Sequence, residues 1–157
     1  MAYWLMKSEP DVYSIDDLER DRTELWDGVR NYQARNFLTS MALGDKAFFY
    51  HSNTKPPGIV GLMEIVEINV VDPTQFDAAS KYYDPKSPTD KPRWHTVTVG
   101  YVETFKACIT LDHLREAFTP EDLWVVRRGN RLSVMPVEDA VAEKLLAIAG
   151  ANTASTP

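Results

Sequence analysis

Three segments rich in β-branched and aromatic residues lie in the middle of the chain, and they constrain its fold more than any other feature. They are 46–51 (KAFFYH), 59–71 (IVGLMEIVEINVV) and 94–105 (WHTVTVGYVETF). Such runs are typical of β-strands, and the shorter run 3–7 (YWLMK) predicts another. Gly61 lies inside a predicted strand and indicates a bulge or a close backbone approach. Helices do not alternate regularly with these strands, as a doubly wound sheet would require.

Short amphipathic helices are predicted between and after the strands. Ser14 and Asp17 have the spacing of a capping box, which predicts a helix to about Asp21. A second helix is predicted after Asn31, where apolar residues recur with a period of 3.6. A third helix is predicted over 111–118, and a proline-containing cap at 119–122 predicts the start of another. A terminal helix is predicted to end at Gly150. Short strands are predicted at 124–126 and 132–135.

The pattern of elements predicts one α+β domain over residues 1–150, with a mixed β-sheet curled into a partial barrel and short α-helices on its outside. A chain of 157 residues is long enough for one such domain. Residues 151–157 (ANTASTP) are predicted to form a disordered tail. The segment 72–93 contains four prolines and predicts a long loop, a type of segment that is often functional.

Charge and composition exclude several classes of protein. The formal net charge is −6, which argues against wrapping a long stretch of nucleic-acid backbone. Most of the excess acid lies in residues 8–24, which predict a solvated helix face. The sequence contains no apolar run long enough to span a membrane and no recognisable signal peptide. Because Cys108 is the single cysteine, a reducing cytoplasm or nucleus is expected; we predict a cytoplasmic protein, with association with the nucleoid, or a nuclear location in a eukaryote, as alternatives.

A search for catalytic and metal-binding motifs is negative. The sequence lacks the phosphate-binding, dinucleotide-binding, zinc-protease and serine-hydrolase signatures. One cysteine and three scattered histidines do not make a structural zinc site of the usual kind. His51 and Ser52 are neighbours at the end of a strand, but adjacent strand residues point to opposite faces. We therefore predict a non-catalytic protein without metal or cofactor.

The segment 26–38 (WDGVRNYQARNFL) combines residue types that occur in recognition sites. If the apolar residues of its helix point inward, Tyr32 and Asn36 lie together on the opposite face with Arg35 beside them. Trp26 precedes a turn and could fold back over this face. An aromatic ring, an amide and a guanidinium can stack a planar heterocycle and read its edge. The alternative is structural, with Asn31 as a helix cap and Trp26 in the core.

Five motifs, in the order in which the family has them, make the chain resemble the EVE domain family. They are YWLMKSEP at 3–10, WDGVRNYQARNFL at 26–38, FFYHSN at 48–53, GIVG at 58–61 and VRRGNRLSVMPV at 126–137. The resemblance covers residues 2 to about 149. It implies a PUA-like fold related to the YTH and ASCH domains. It also implies a pocket for a flipped or single-stranded nucleobase, a modified one such as a methylated cytosine, in DNA or RNA.

The resemblance further implies which residues form the site. The residues expected to bind the nucleobase are Trp26, Asn31, Tyr32, Gln33, Asn36, Tyr50, His51, Ser52 and Asn53. The residues expected on a phosphate-binding rim are Lys7, Ser8, Arg35, Arg128, Arg131, Ser133 and Met135. Trp26 and Tyr32 are expected to be aromatic walls. Asn36 and Ser52 would read polar edges, while Lys7 and Arg35 would hold a phosphate.

Two other functions stay open at this point. The related ASCH domains show that the fold can carry hydrolytic activity, so a hydrolase of modified nucleosides could use Lys7, Tyr50 and His51 for acid–base chemistry. A protein-interaction module would use the acidic face of residues 8–24. For the nucleic-acid reader, we predict weak binding that favours single strands. Flipping a base costs a few kcal/mol, and a chain of net charge −6 gains little from phosphates.

Overall fold

A computed structural model describes residues 1–154 and the side chains of residues 1–150. Within that range the strands are β1 (Tyr3–Ser8), β2 (Thr23–Leu25), β3 (Lys46–His51), β4 (Gly58–Val71), β5 (His95–Thr110) and β6 (Val134–Val137). The α-helices are α1 (Ile15–Asp21), α2 (Tyr32–Ser40), α3 (Leu111–Ala117) and α4 (Asp139–Ala154). Two 3-10 helices, Pro73–Phe76 and Trp124–Val126, lie in the connections.

The six strands form one mixed sheet in the order β2-β5-β4-β3-β1-β6. β1 runs parallel to β3, and the other neighbouring pairs are antiparallel. β2 and β6 remain edge strands, so the sheet curls without closing. The predicted α+β class and mixed sheet with flanking helices are confirmed.

Gly61 allows the long strands β4 and β5 to approach closely. The register between them shifts between Ile59 and Gly61, as the predicted bulge requires. A Cβ at Gly61 would lie 2.5 Å from the carbonyl oxygen of Glu103, inside van der Waals contact. The predicted bulge and close approach are therefore confirmed.

Hydrophobic clusters cover both faces of the sheet. The alternation of β1 sends Trp4 and Met6 to one face and Leu5 to the other. α1 and α2 contribute to the first cluster, which includes Phe49 and Trp26. The second cluster joins residues of α3 and α4 to the opposite face. The loops at the ends of β1 and β2 are thereby held on a rigid scaffold.

The caps predicted for the first two helices are present. The Ser14 hydroxyl accepts from the amide of Asp17 at 3.1 Å, and the Asp17 carboxylate accepts from the amide of Ser14 at 2.9 Å. The Asn31 side chain accepts from the amide of Ala34 at 2.9 Å and begins α2. Both predicted helices are therefore confirmed.

The segment between β4 and β5 is ordered around one buried amide. Gln75 is fully buried, and its Nε2 donates to the carbonyls of Asp72 and Trp94 at 2.7 and 2.8 Å. Its Oε1 accepts from the Ser87 hydroxyl at 2.6 Å and from the Trp94 amide at 3.2 Å. The predicted loop at 72–93 is thus folded against itself and against the start of β5.

Some predicted elements near the C-terminus are wrong. Trp124–Val126 is a 3-10 helix rather than a strand, because the amide of Val126 donates back to Leu123 and that of Arg127 to Trp124. The buried valines fit the core without pairing to a strand.

The cap predicted at 119–122 also has a different outcome. Thr119 and Asp122 exchange side chain to backbone hydrogen bonds of 3.2 Å, but they close a turn instead of beginning an α-helix.

The terminal helix passes Gly150 and continues to Ala154, so its predicted end is wrong. Residues 151–154 of the predicted disordered tail are helical, and residues 155–157 lie outside the described residues. Over the described part of the chain, none of the helices has the length and apolar character needed to cross a bilayer.

Candidate functional site

A cleft of about 630 Å³ opens where the end of β1 and the end of β2 face the segment 26–30. It is lined by Lys7, Ser8, Glu9, Val12, Tyr13, Glu24, Leu25, Trp26, Asp27, Gly28, Val29, Arg30, Ser52, Lys81, Tyr82, Arg131 and Ser133. These residues come from separate parts of the sequence, so the fold creates the cleft. We call it the cleft. Its volume falls in the range of about 300–1,000 Å³ that is usual for ligand sites.

Trp26 belongs to both the core and the cleft. Its amide donates to the carbonyl of Val97 at 2.9 Å, and its carbonyl accepts from the Thr96 hydroxyl. The indole meets the ring of Phe49 edge-on at 5.5 Å and is 7% exposed. The side chain is therefore fixed by packing and offers only a small part of its surface to the cleft.

The turn after Trp26 is held by a buried carboxylate. One oxygen of Asp72 accepts from the Gly28 amide at 2.9 Å and from Nη1 of Arg30 at 3.0 Å. The other accepts from the amide of Thr74 at 2.9 Å. Burial opposes ionisation of Asp72, but these hydrogen bonds outweigh it and hold its pKa below the usual value. The 26–30 segment is thus tied to the start of the 72–94 segment.

Tyr82 completes this wall of the cleft. Its carbonyl accepts from Nε of Arg30 at 2.9 Å, and its ring lies 5.8 Å from the Arg30 guanidinium. Gly28 has a φ of +82°, and a Cβ there would lie 2.6 Å from the Tyr82 ring. Glycine is therefore required at this position both by its conformation and by the contact with Tyr82.

The opposite wall is built from backbone contacts at the ends of three strands. The Lys7 amide donates to the carbonyl of Ser133 at 2.8 Å, and the Ser52 amide donates to the carbonyl of Ser8 at 3.0 Å. The ammonium group of Lys7 lies 5.7 Å from the centre of the Tyr50 ring. Burial lowers the pKa of Lys7.

The cleft offers both hydrogen-bond acceptors and cations. Burial raises the pKa of Glu24, and the neighbouring Asp27 carboxylate raises it further. Burial also raises the pKa of Asp27, with an added contribution from Asp72. Lys81 and Arg131 supply positive charge near the opening. Such an arrangement can accept hydrogen bonds from amines inside the cleft and bind anions at its edge.

The structure brings six of the predicted site residues together in the cleft. These are Lys7, Ser8, Trp26, Ser52, Arg131 and Ser133. Tyr50 and Met135 lie nearby but are buried in the core, where burial raises the pKa of Tyr50 to about 12. His51 uses Nε2 to accept from the Ile15 amide at 3.1 Å, and burial lowers its pKa. Asn53 is exposed, with Nδ2 at 3.4 Å from the Glu9 carboxylate.

The predicted residues of α2 do not line the cleft. Asn31 caps the helix, and Gln33 is exposed. Tyr32 is 51% exposed and stacks on Trp94 at 4.9 Å. Arg35 and Asn36 line a separate groove, described below. Arg128 lines another depression, formed with residues of α3 and the loop after it.

Other cleft residues were not predicted from the sequence. Asp27 and Arg30 lie in the same motif as Trp26, and the Asp-Gly turn was a usable signal for their position. Lys81 and Tyr82 come from the long loop, whose fold depends on the burial of Gln75. Among the residues that the structure describes, no group of three His, Cys, Asp or Glu side chains could hold a metal ion.

Comparison with known proteins identifies a family that covers nearly the whole chain. The sequence model of the EVE domain matches residues 2–148. Thymocyte nuclear protein 1 of Mus musculus is 52% identical over 124 residues, which cover 72% of this chain and 55% of the mouse protein. The chain thus spans about half the length of this relative.

Solved structures with the same fold include proteins from bacteria and from human. A crystal structure of a Pseudomonas syringae protein matches with a TM-score of 0.90 and 49% identity, covering 94% of this chain and 99% of the bacterial one. The crystal structure of human THYN1 in complex with DNA containing 5-methylcytosine matches with a TM-score of 0.89 and 42% identity. That match covers 95% of this chain and 98% of the human chain.

Proposed function

Because the chain belongs to the EVE domain family, we propose that it binds nucleic acid and that its cleft receives a single modified nucleobase. The observation that carries this proposal is the human THYN1 structure, whose partner is DNA containing 5-methylcytosine. The two chains share 42% identity and match over 95% of the present chain. The base would be flipped out of a duplex or already unpaired, because a base stacked inside a duplex cannot enter the cleft.

The chemistry of the cleft supports a base as its ligand. The half-buried ring of Tyr82 lines the cleft, and stacking on such a ring contributes roughly 1–3 kcal/mol per base, while Trp26 offers only a small part of its surface. Carboxylates accept hydrogen bonds from the exocyclic amine of cytosine. Glu24 and Asp27 line the cleft and are placed for that role. The cleft therefore favours a base that carries an amine.

Positive side chains at the opening support binding of the sugar–phosphate backbone. Lys81 and Arg131 lie at the cleft and are exposed. A few cations yield only a small electrostatic contribution on a chain of net charge −6. We therefore expect the domain to prefer single strands over an unmodified duplex, whose base must first be flipped at a cost of a few kcal/mol.

A titration of labelled oligonucleotides tests the proposal. Single strands and duplexes with and without one 5-methylcytosine are compared with the free nucleosides. We expect the modified single strand to bind most tightly. Equal and negligible affinity for all of these ligands would overturn the reader function.

The same ligands can be used to test the alternative that the protein is a hydrolase. Incubated nucleosides are analysed by chromatography for new products. Release of a product by the wild-type protein, lost in Lys7→Gln, would replace the reader with an enzyme. Lys7 is the side chain to change because it lines the cleft, while His51 already uses Nε2 to accept from a backbone amide.

A further inference from the structure

A second concave surface lies outside the cleft, between α2 and the end of the 72–94 segment. We call it the α2 groove; it has a volume of about 450 Å³ and is lined by Arg35, Asn36, Thr39, Pro88, Lys91, Pro92, Arg93 and His95. Part of the recognition motif at 26–38 therefore faces this groove and not the cleft. The groove has no role in the contacts that hold the cleft walls together.

The α2 groove carries unpaired positive charge on an acidic protein. Within the described part of the chain, no carboxylate lines the groove, and Arg35, Lys91 and Arg93 take part in no ion pair. The hydrogen bond from the indole Nε1 of Trp94, at 2.8 Å, and to a lesser degree the charge of Arg93 lower the pKa of Asp84, but Asp84 forms no ion pair with Arg93 and does not line the groove. Cations collected without partners on a chain of net charge −6 indicate an anionic ligand.

The guanidinium of Arg35 is fixed in position by neutral acceptors. Nη1 donates to the carbonyl of Arg93 at 3.1 Å, and Nε and Nη2 donate to Oδ1 of Asn36 at 3.2 and 2.9 Å. These contacts orient the group while leaving its charge without a counterion. A positioned cation of this kind binds phosphate oxygens with little loss of side-chain freedom.

A ridge of alternating rings and guanidinium groups connects the cleft with the α2 groove. Arg30 lies over the ring of Trp94 at 5.1 Å as well as over Tyr82. Trp94 stacks on Tyr32, and the Arg35 guanidinium lies 4.8 Å from the Tyr32 ring. Trp94 is buried, so the ridge presents the half-exposed Tyr32 side chain and the guanidinium groups to a strand that leaves the cleft past Tyr82 and Arg30 toward the groove.

We propose that the α2 groove binds the phosphate backbone of the nucleotides that flank the base in the cleft. The proposal rests on the proposed function of the cleft and adds a second contact region to it. The groove reads no base and contributes affinity without sequence preference. It also explains how an acidic domain can gain phosphate contacts: the cations are concentrated along one path.

The test replaces Lys91 and Arg93, the two groove cations whose side chains donate no hydrogen bond and form no ion pair with any residue that the structure describes. Lys91→Gln/Arg93→Gln is compared with wild type and with Lys106→Gln/Lys144→Gln, which removes the same charge from two exposed positions outside the cleft and groove. Affinity for a single-stranded 11-mer with a central 5-methylcytosine, for its unmodified counterpart and for 5-methylcytidine is measured over a range of salt concentrations.

We expect the groove variant to bind both 11-mers more weakly, on the order of tenfold at low salt. The slope of the logarithm of affinity against the logarithm of salt concentration should be smaller in magnitude by about 1.4, because two phosphate contacts are lost. The loss is expected for the strands and not for the nucleoside, which has no flanking phosphates. The lysine control should keep the wild-type slope. An unchanged slope in the groove variant, or an equal fall in the control, would overturn the groove proposal.

The two proposals fail in different ways in this experiment. If wild type does not distinguish modified from unmodified strands, the base-reading cleft is wrong, while the slope still decides the groove. If the groove variant loses binding to poly-glutamate but keeps the wild-type affinity for strands, the groove binds an acidic protein and the phosphate proposal is wrong. Absence of strand binding by wild type would overturn both.

Discussion

The ring of Tyr82 occupies the space in which a side chain at Gly28 would begin. A Cβ at Gly28 would lie 2.6 Å from Cε2 and 2.7 Å from Cζ of that ring. Two segments that are more than fifty positions apart in sequence thus share one wall of the cleft. The contact links the most specific sequence motif to a loop that carries no motif.

Gly28→Ala should displace Tyr82 and reduce binding of modified nucleosides. The backbone at +82° adds a strain of about 1–2 kcal/mol for a residue with a side chain. Gly44→Ala is a matched control, since Gly44 has a φ of +87° and no atom within 4 Å of the added Cβ. Urea unfolding should show a lower free energy of unfolding in both variants, with an additional loss in Gly28→Ala from the displaced Tyr82 ring. A titration with 5-methylcytidine should show weaker binding only in Gly28→Ala. Equal affinity of the two variants would mean that Tyr82 does not contact the ligand.

Trp26 should be tested by a change that keeps an aromatic ring. Trp26→Ala would remove a core side chain that packs on Phe49, at a cost of about 3–5 kcal/mol, so its loss of binding would be ambiguous. Trp26→Phe should stay folded and lose part of the preference for the modified base, because the smaller ring removes the small part of the indole that reaches the cleft. Trp4→Phe is the control: the Trp4 indole donates to Asp45 at 3.0 Å on the same core side, away from the cleft.

The outcome for Trp26 is read from two measurements on each variant. Thermal unfolding reports the loss of packing, and the ratio of affinities for modified and unmodified strands reports recognition. Both phenylalanine variants should unfold at lower temperature than wild type. If the affinity ratio falls equally in both, Trp26 has only a structural role.

Asp72→Asn should destabilise the fold by about 3 kcal/mol at pH 7, because it leaves the largely buried guanidinium of Arg30 without its counterion. The pKa of Asp72 is lower in the folded chain than in the unfolded one. Its stabilising contribution is therefore complete above the unfolded value of about 4 and is lost as pH falls through the folded value. Urea unfolding of both proteins between pH 7 and pH 2 should show a difference that shrinks below about pH 4. A difference that is constant with pH would contradict an ionised Asp72.

Glu24→Gln should stabilise the fold at neutral pH and weaken recognition. Burial raises the folded-state pKa of Glu24, so its ionisation carries a cost that is absent below the unfolded value of about 4.3 and complete above the folded one. We expect the variant to be more stable than wild type at pH 7 and equal to it at low pH. It should also bind 5-methylcytidine less well relative to 5-methyluridine, which lacks the amine.

A control carboxylate separates these two effects from a general change of charge. Glu67→Gln removes an exposed acid from β4, outside the cleft. It should leave both stability at pH 7 and the preference between the two nucleosides unchanged. If Glu24→Gln matches this control, Glu24 is not an acceptor for the base.

Sequence periodicity predicted which residues of α2 are buried and which face outward, but it did not predict the groove that the outward-facing residues line. Ala34 and Leu38 are buried, while Tyr32 and Asn36 face outward, as their phase indicates. Helical phase separates the core side from the outer side, and it contains no information about which concave surface lies nearby. The structure places the α2 groove there, because the 72–94 segment folds against the helix.

Elements without strong local signals were the least predictable. The valines at 125 and 126 suit either a strand or a buried turn, and only the position of their backbone partners decides between the two. Lys81 and Tyr82 could not be assigned to the cleft, because their positions follow from buried polar contacts of Gln75 with distant residues. By contrast, the capping box at Ser14 depends on residues three positions apart and was predicted correctly.

The fully satisfied amide of Gln75 has a consequence for the thermodynamics of association. All of its hydrogen-bonding groups are engaged without a ligand, so the 72–94 segment is already ordered. Ordering a loop on binding would cost about 1–2 kcal/mol for each residue that loses its freedom. Because the 72–94 segment is already ordered, binding at the cleft does not include that entropic cost, and a ligand needs fewer contacts for a given affinity.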